Sequence, residues 1–283
     1  MSERLDVKKT YKLVVNGAFI RSESGRSYEV SDAHEKFLAN VAQASRKDLR
    51  DAVVAARAAQ AKWWATTAYN RGQVMYRWAE MAESRRAELV EHVGLAEGRR
   101  KKDAQLSVER AIDRIVWYAG WTDKVTQVLG GANPVAGPYF NFSLPVPSGV
   151  VGVVAPQDSS LEGFVEAVCA PLCVGNSVVV LASENRPTPA LVLAEMTATA
   201  DFPGGVLNVL TGMTGELVSH VATHEDLDGI DVSGSGDLAD DLARLAAGSI
   251  KRVYRARAND DDNPLRRLRT FVETTTVWHT IGQ

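Results

Sequence analysis

The 283-residue sequence holds only two cysteines and five histidines, and no apolar run approaches the ~18 residues needed to span a bilayer as a helix. A disulfide framework and a membrane helix are thereby excluded. Neither sign of charge dominates, since 32 Lys and Arg face 35 Asp and Glu for a net charge of −3, and nothing in that balance points to nucleic acid or to an acidic membrane surface. The opening MSERLDVKKTYK is charged from its third residue and lacks a signal-peptide apolar region, so a soluble cytoplasmic protein is expected. Internal repeats and low-complexity blocks are also missing. Hydrophobic residues, at 45%, are plentiful enough for a substantial core in one or two domains.

The chain is organised around residues 147–184, PSGVVGVVAPQDSSLEGFVEAVCAPLCVGNSVVVLASE. Val150, Val151, Val153 and Val154 form a near-continuous β-branched run of the kind found in parallel strands covered on both faces, and residues 178–181 form a second. Between them Leu161, Phe164, Val165, Val168 and Leu172 recur at three- and four-residue spacing, which places them on one helix face. This is a β-α-β unit. Its crossover predicts a mostly parallel sheet and a doubly wound α/β fold. Cys169 and Cys173 fall on the same helix among apolar residues and read as reduced core thiols. Ligands bind beyond the carboxyl ends of such strands, so the loop 155–160 and the tripeptide Ser183-Glu184-Asn185 are the first candidate sites.

Residues 11–45 alternate as strands do, with turns at Asn16-Gly17 and Ser24-Gly25. Two amphipathic helices follow from Lys47, broken near residues 66–70, and a third is expected over 107–128. The basic run Glu97-Gly98-Arg99-Arg100-Lys101-Lys102 reads as a solvated connector. Aromatic alternation at 139–144, bracketed by Pro138, Pro145 and Pro147, predicts a short strand outside the main sheet. Further on, His220 and His224 have the spacing of a metal pair on one helix face, but no third ligand accompanies them and no metal is expected. A strand at residues 230–232 leads through Ser233-Gly234-Ser235-Gly236 into a helix carrying Leu238, Leu242 and Leu245, and the next strand is expected at residues 250–254.

The segments GVVGVVAP, APLCVGNSVVVLASE and FPGGVLNVLTG, in that order, resemble the cofactor-binding half of the aldehyde dehydrogenase superfamily. The resemblance runs from about Tyr11 to about Arg255 and resumes at Phe271. It implies a Rossmann-like domain over residues 1–257, including an arm segment at 135–148, then a linker and C-terminal oligomerisation strand over 258–283. It further implies that the family's tryptophan-asparagine pair falls on Gln157-Asp158, where an ionised carboxylate would repel an oxyanion that an amide would stabilise. The family's cofactor-binding lysine falls on Leu181, with Ala182 in place of the following proline. Glu184, Gly234 and Ser235 are left as vestigial cofactor-binding candidates. Asp237, Asp240 and Asp241 crowd the same helix start and oppose a pyrophosphate there, which favours self-capping of the turn.

The family's general base would lie in the stretch 256–259, which reads Ala-Arg-Ala-Asn. The domain with the nucleophilic cysteine is expected to be absent, and no catalytic residue is assigned. Neither Cys169 nor Cys173 has a base or cation beside it in sequence to generate thiolate. No resident cofactor is expected, with NAD or NADP as the alternative. Residues 265–283, LRRLRTFVETTTVWHTIGQ, resemble the family's last strand, which the resemblance pairs with another subunit's arm. A partner or scaffold subunit is therefore expected, joined to a full-length aldehyde dehydrogenase or to itself through segments 138–147 and 270–279. The rival expectations are an NAD(P)-binding module of an aldehyde oxidoreductase and a truncated product without a role.

Overall fold

The computed structural model describes residues 8–257 and 265–282. Residues 1–7, and the 258–264 portion that holds the expected linker and the last two positions matched to the general base, lie outside them. A seven-stranded sheet forms the centre. Its strands are β2 (Leu13–Val15), β3 (Ala18–Ile20), β8 (Val150–Val154), β9 (Ser177–Leu181), β10 (Leu207–Leu210), β11 (Gly229–Asp231) and β12 (Arg252–Tyr254), in the order β12-β11-β8-β9-β10-β2-β3. The strands from β12 to β10 run parallel, and β2 and β3 are added antiparallel.

Alternate residues of each central strand point to opposite faces, and both faces are covered. Val151 and Val153 of β8, with Val178 and Val180 of β9, face the helices α2 (Ala68–Ser84), α3 (Arg86–Glu97), α4 (Lys101–Trp121), α6 (Glu162–Cys173) and α7 (Thr188–Glu195). Val150, Val154, Val179 and Leu181 face α1 (Arg46–Ala65), α8 (Thr214–Thr223) and α9 (Ala239–Ala246). This is why the strands read as unbroken valine runs. The chain passes from β8 through β9 to β10 on one side, then returns to place β11 and β12 on the other. The topological switch point therefore lies between β8 and β11.

Two small sheets complete the fold. Strands β1 (Thr10–Tyr11), β4 (Ser27–Ser31) and β5 (Phe37–Ala42) form one, in the order β1-β5-β4. The other joins β6 (Gly131–Asn133), β7 (Tyr139–Pro147) and β13 (Val272–Thr280), with β7 in the middle. Strand β13 pairs antiparallel with β7 of its own chain along all nine residues. The expectation from the resemblance was a pairing of this strand with another subunit's arm, and in the single chain the edge of β7 it would use is taken by β13 itself.

Several local readings also change. Lys101 and Lys102 open α4 instead of lying in a connector, and the expected 107–128 helix divides into α4 and α5 (Val125–Leu129). Only Leu242 of the three leucines around α9 is buried, because Leu238 belongs to a preceding 3-10 turn and Leu245 faces outward. Ile250 is almost fully exposed in a left-handed conformation at φ 56°, so β12 starts two residues later than expected. A short helix, α10 (Leu265–Thr270), precedes β13 where only a linker was expected.

Candidate functional site

The carboxyl ends of β8, β9 and β11 bring the sequence candidates together. Ala155 donates its N–H to the Leu181 carbonyl at 3.0 Å, extending the β8–β9 ladder, before Pro156 turns the chain away. Gln157 then joins the two strand ends. Its side-chain nitrogen donates to the Ala155 carbonyl at 2.8 Å, its side-chain oxygen accepts the Glu184 N–H at 2.9 Å, and its carbonyl accepts the Ser183 hydroxyl at 3.1 Å. Asp158 is exposed, and its carbonyl accepts from Arg186 at 3.2 Å.

Glu184 is half-buried, and its Oε2 accepts the Thr214 N–H at 2.7 Å, the first amide of α8. A carboxylate at a helix start takes up an orphan donor and opposes the positive end of the helix dipole. The Glu184 carbonyl accepts the Tyr28 hydroxyl at 3.0 Å, and burial, with the Glu184 charge adding to it, pushes the Tyr28 phenol well above its ordinary pKa. Leu181 and Ala182, at the family's lysine-proline positions, are both buried.

Gly234 sits at the switch point itself. It donates its N–H to the Val154 carbonyl at 3.0 Å, and a Cβ there would lie 1.8 Å from the Ala155 carbonyl oxygen. Only glycine permits that approach. Ser233 donates its N–H to the Asp231 carboxylate at 2.9 Å and Ser235 to the Val232 carbonyl at 3.0 Å. All three successive amides are thus engaged by the protein's own acceptors. The buried Ser235 hydroxyl has no partner among the described residues. A 3-10 turn, Gly236–Leu238, separates this loop from α9.

Beside these loops lies a half-open cavity of about 740 Å³ between α4, α6, the end of β12 and α10. Arg267 of α10 forms its inner wall, 5% exposed, with its guanidinium 3.1 Å from Asp231, 3.7 Å from Glu166 and 4.5 Å above the centre of the Tyr254 ring. Burial alone would lower the Arg267 pKa, but Asp231 and the neighbouring acidic groups outweigh it and hold the side chain protonated. Glu166 also accepts from the Tyr118 hydroxyl at 2.6 Å and pairs with Arg114 at 3.0 Å.

This network was not foreseen from sequence. A carboxylate between Ile230 and Val232 in an apolar strand was the available signal, since a buried charge demands a partner. Its partner lay 36 positions away in a stretch that looked like a connector. Cys169 and Cys173 are fully buried, and burial pushes both thiols up, away from nucleophilic thiolate. His220 and His224 do not share a helix face, because α8 ends at Thr223.

The model of the family described as "Aldehyde dehydrogenase family" matches residues 19–256. Curated relatives include "Putative aldehyde dehydrogenase DhaS" of Bacillus subtilis (strain 168), 32% identical over 89% of this chain and 52% of its own length. "Retinal dehydrogenase 2" of Gallus gallus is 33% identical over 88% of this chain and 48% of its own. Among solved structures, "NAD+ complex structure of aldehyde dehydrogenase from bacillus cereus" superposes with a TM-score of 0.83 at 29% identity, covering 87% of this chain and 50% of that one. The chain spans about half the length of these relatives.

Proposed function

Because the chain belongs to the aldehyde dehydrogenase family, we propose that it is a non-catalytic subunit that joins an aldehyde dehydrogenase assembly, with a full-length aldehyde dehydrogenase or a second copy of itself as its partner. The arm sheet is the observation that carries this reading. β13 is an edge strand, so a row of backbone donors and acceptors has no partner strand among the described residues. Phe140, Phe142, Leu144 and Val146 alternate onto one face of β7, and Val277 lies opposite Phe142 on that face. Phe140 is 49% exposed, so an apolar stripe extends out from the body of the molecule. An edge and an adjoining apolar face are what strand addition and sheet packing between subunits use.

The strand-end loops support the non-catalytic half of the proposal. Aldehyde oxidation through a thiohemiacetal needs a thiolate and a donor for the oxyanion. The thiols of the described residues are buried in α6, and the Gln157 amide nitrogen already donates to the protein's own backbone. A dinucleotide fits this crevice poorly, since the amides of Ser233, Gly234 and Ser235 and one oxygen of Glu184 are bonded within the fold.

Co-expression with full-length aldehyde dehydrogenases, followed by size-exclusion chromatography with mass analysis, is expected to yield a complex. A monomer in every combination overturns the proposal, as does nicotinamide reduction by the purified chain given an aldehyde. The alternative is an NAD(P)-binding module of an NAD(P)-dependent aldehyde oxidoreductase, and it draws on the half-buried Glu184 beside the crevice. Calorimetric titration separates the two, because saturable heat with NAD or NADP at millimolar concentration favours the module.

A further inference from the structure

Two arginines among the described residues are almost fully buried, and they are treated differently. Arg267 has Asp231 and Glu166 beside it. Arg71, on the first turn of α2, is 4% exposed and forms no ion pair with any described residue. Both of its hydrogen bonds use Nη1, which donates to the carbonyls of Trp64 at 3.2 Å and Thr66 at 2.5 Å at the end of α1. The Trp64 ring lies 5.1 Å from the guanidinium carbon. Buried Nε has no partner among the described residues. Burial lowers the Arg71 pKa, and no carboxylate among the described residues opposes that effect.

Two carbonyls at a helix end and an indole face offset part of a desolvated positive charge, but a buried cation without a counter-ion is still unfavourable. The space beside Arg71 is suited to supply one. A cavity of about 230 Å³ opens there, lined by Thr66, Thr67, Arg71, Thr122 and Thr126, with Pro145 and Val272 from the root of the arm sheet closing it. Since one water takes about 30 Å³ and drug-sized ligands begin near 300 Å³, this volume suits a small ion with a few waters.

The 17-residue helix α2 starts at the same place. Thr67 caps it by accepting the Asn70 N–H at 3.2 Å, its carbonyl accepts the Arg71 N–H, and the first turn contains no acidic residue. The amides of Ala68 and Tyr69 donate to no acceptor among the described residues, at the positive end of the helix dipole.

We propose that this cavity is a binding site for a small tetrahedral oxyanion, the phosphate group of an inorganic or singly esterified phosphate, held by the Arg71 guanidinium and the first amides of α2. A planar fork of donors beside helix amides matches phosphate oxygens. With Pro145 and Val272 in its wall, the site ties the helical layer to the base of β7 and β13, so the bound anion stabilises the arm. The site is separate from the strand-end crevice and does not depend on what the crevice holds.

The full chain is melted in increasing inorganic phosphate, and separately in ribose 5-phosphate, against chloride at matched ionic strength. A saturable rise in Tm of about 4 °C is expected with at least one probe, and the better probe identifies a free ion or an esterified phosphate as the ligand. Arg71→Gln is expected to lose the rise. Should that variant fail to fold, Thr126→Glu replaces an exposed cavity-lining residue with a carboxylate that serves as an internal counter-ion. It is expected to raise Tm in chloride and abolish the response to phosphate. No saturable rise with either probe overturns the proposal, and so does an undiminished rise in Thr126→Glu.

Discussion

At the scale of single residues, the switch point is decided by a missing side chain and the neighbouring cavity by a buried charge. Gly234→Ala forces a Cβ to within 1.8 Å of the Ala155 carbonyl oxygen, so β8 and β11 must move apart. A loss of about 2–3 kcal/mol is expected, measured as the shift in urea midpoint at constant slope. Arg267→Ala removes the guanidinium 3.1 Å from the Asp231 carboxylate, which has no solvent exposure, and is expected to cost about 3–5 kcal/mol. Adding Asp231→Asn removes that charge while keeping an oxygen for the Ser233 donors, and is expected to recover at least half of the loss. A double-mutant cycle in urea checks the coupling, and strict additivity would discard it. Of these two residues, the glycine was legible through the resemblance of its Ser-Gly-Ser-Gly turn to the family's turn at a helix start. The arginine was not, since nothing local to LRRLRT distinguishes a solvated charge from one facing Asp231 across the sheet.

At the scale of elements, α1 shows how a short pattern specifies a helix start. Ser45 accepts the N–H groups of Lys47 and Asp48 at 3.2 Å each, and Asp48 accepts the Ser45 N–H at 2.8 Å, completing a capping box. Ser45→Ala is expected to cost about 1 kcal/mol in urea denaturation. Burial would push the Asp48 carboxyl up, but donation from Ser22 at 2.7 Å and from the Ser45 and Glu23 amides outweighs it and lowers its pKa. The sign follows from a folded value below the unfolded one. Asp48 stabilises the fold fully above the unfolded pKa of about 3.9, and that contribution is lost as pH falls through the lower folded value. Stability measured below about pH 4 is therefore expected to fall less steeply in Asp48→Asn than in the wild type.

At the scale of the whole molecule, the arm sheet leaves Tyr139, Phe140 and Trp278 exposed. If it docks, a charge on the exposed apolar stripe disrupts assembly without harming the fold. Phe140→Glu replaces a ring that is 49% exposed and is expected to change Tm by no more than about 2 °C, while converting any self- or hetero-complex to monomer in size-exclusion chromatography with mass analysis. Loss of the fold together with the complex would instead mean that the ring holds β7 to the body.

Local composition and period determined much of the architecture. Valine runs at 150–154 and 178–181 with a helical spacing between them specify parallel strands and a crossover, because a strand buried on both faces has few other compositions open to it. Glycine and proline punctuation located the strand-end loops for the same reason. Tertiary structure alone decided which groups those loops leave free. Gln157 bonds to Ala155 and Glu184, Glu184 bonds to α8, and the Gly234 loop closes onto β8, each through a backbone donor or acceptor whose position depends on strand order. It also decided that β13 pairs with its own β7 and that Arg71 is buried without a carboxylate from the described residues beside it, since both depend on contacts between segments distant in sequence or on their absence.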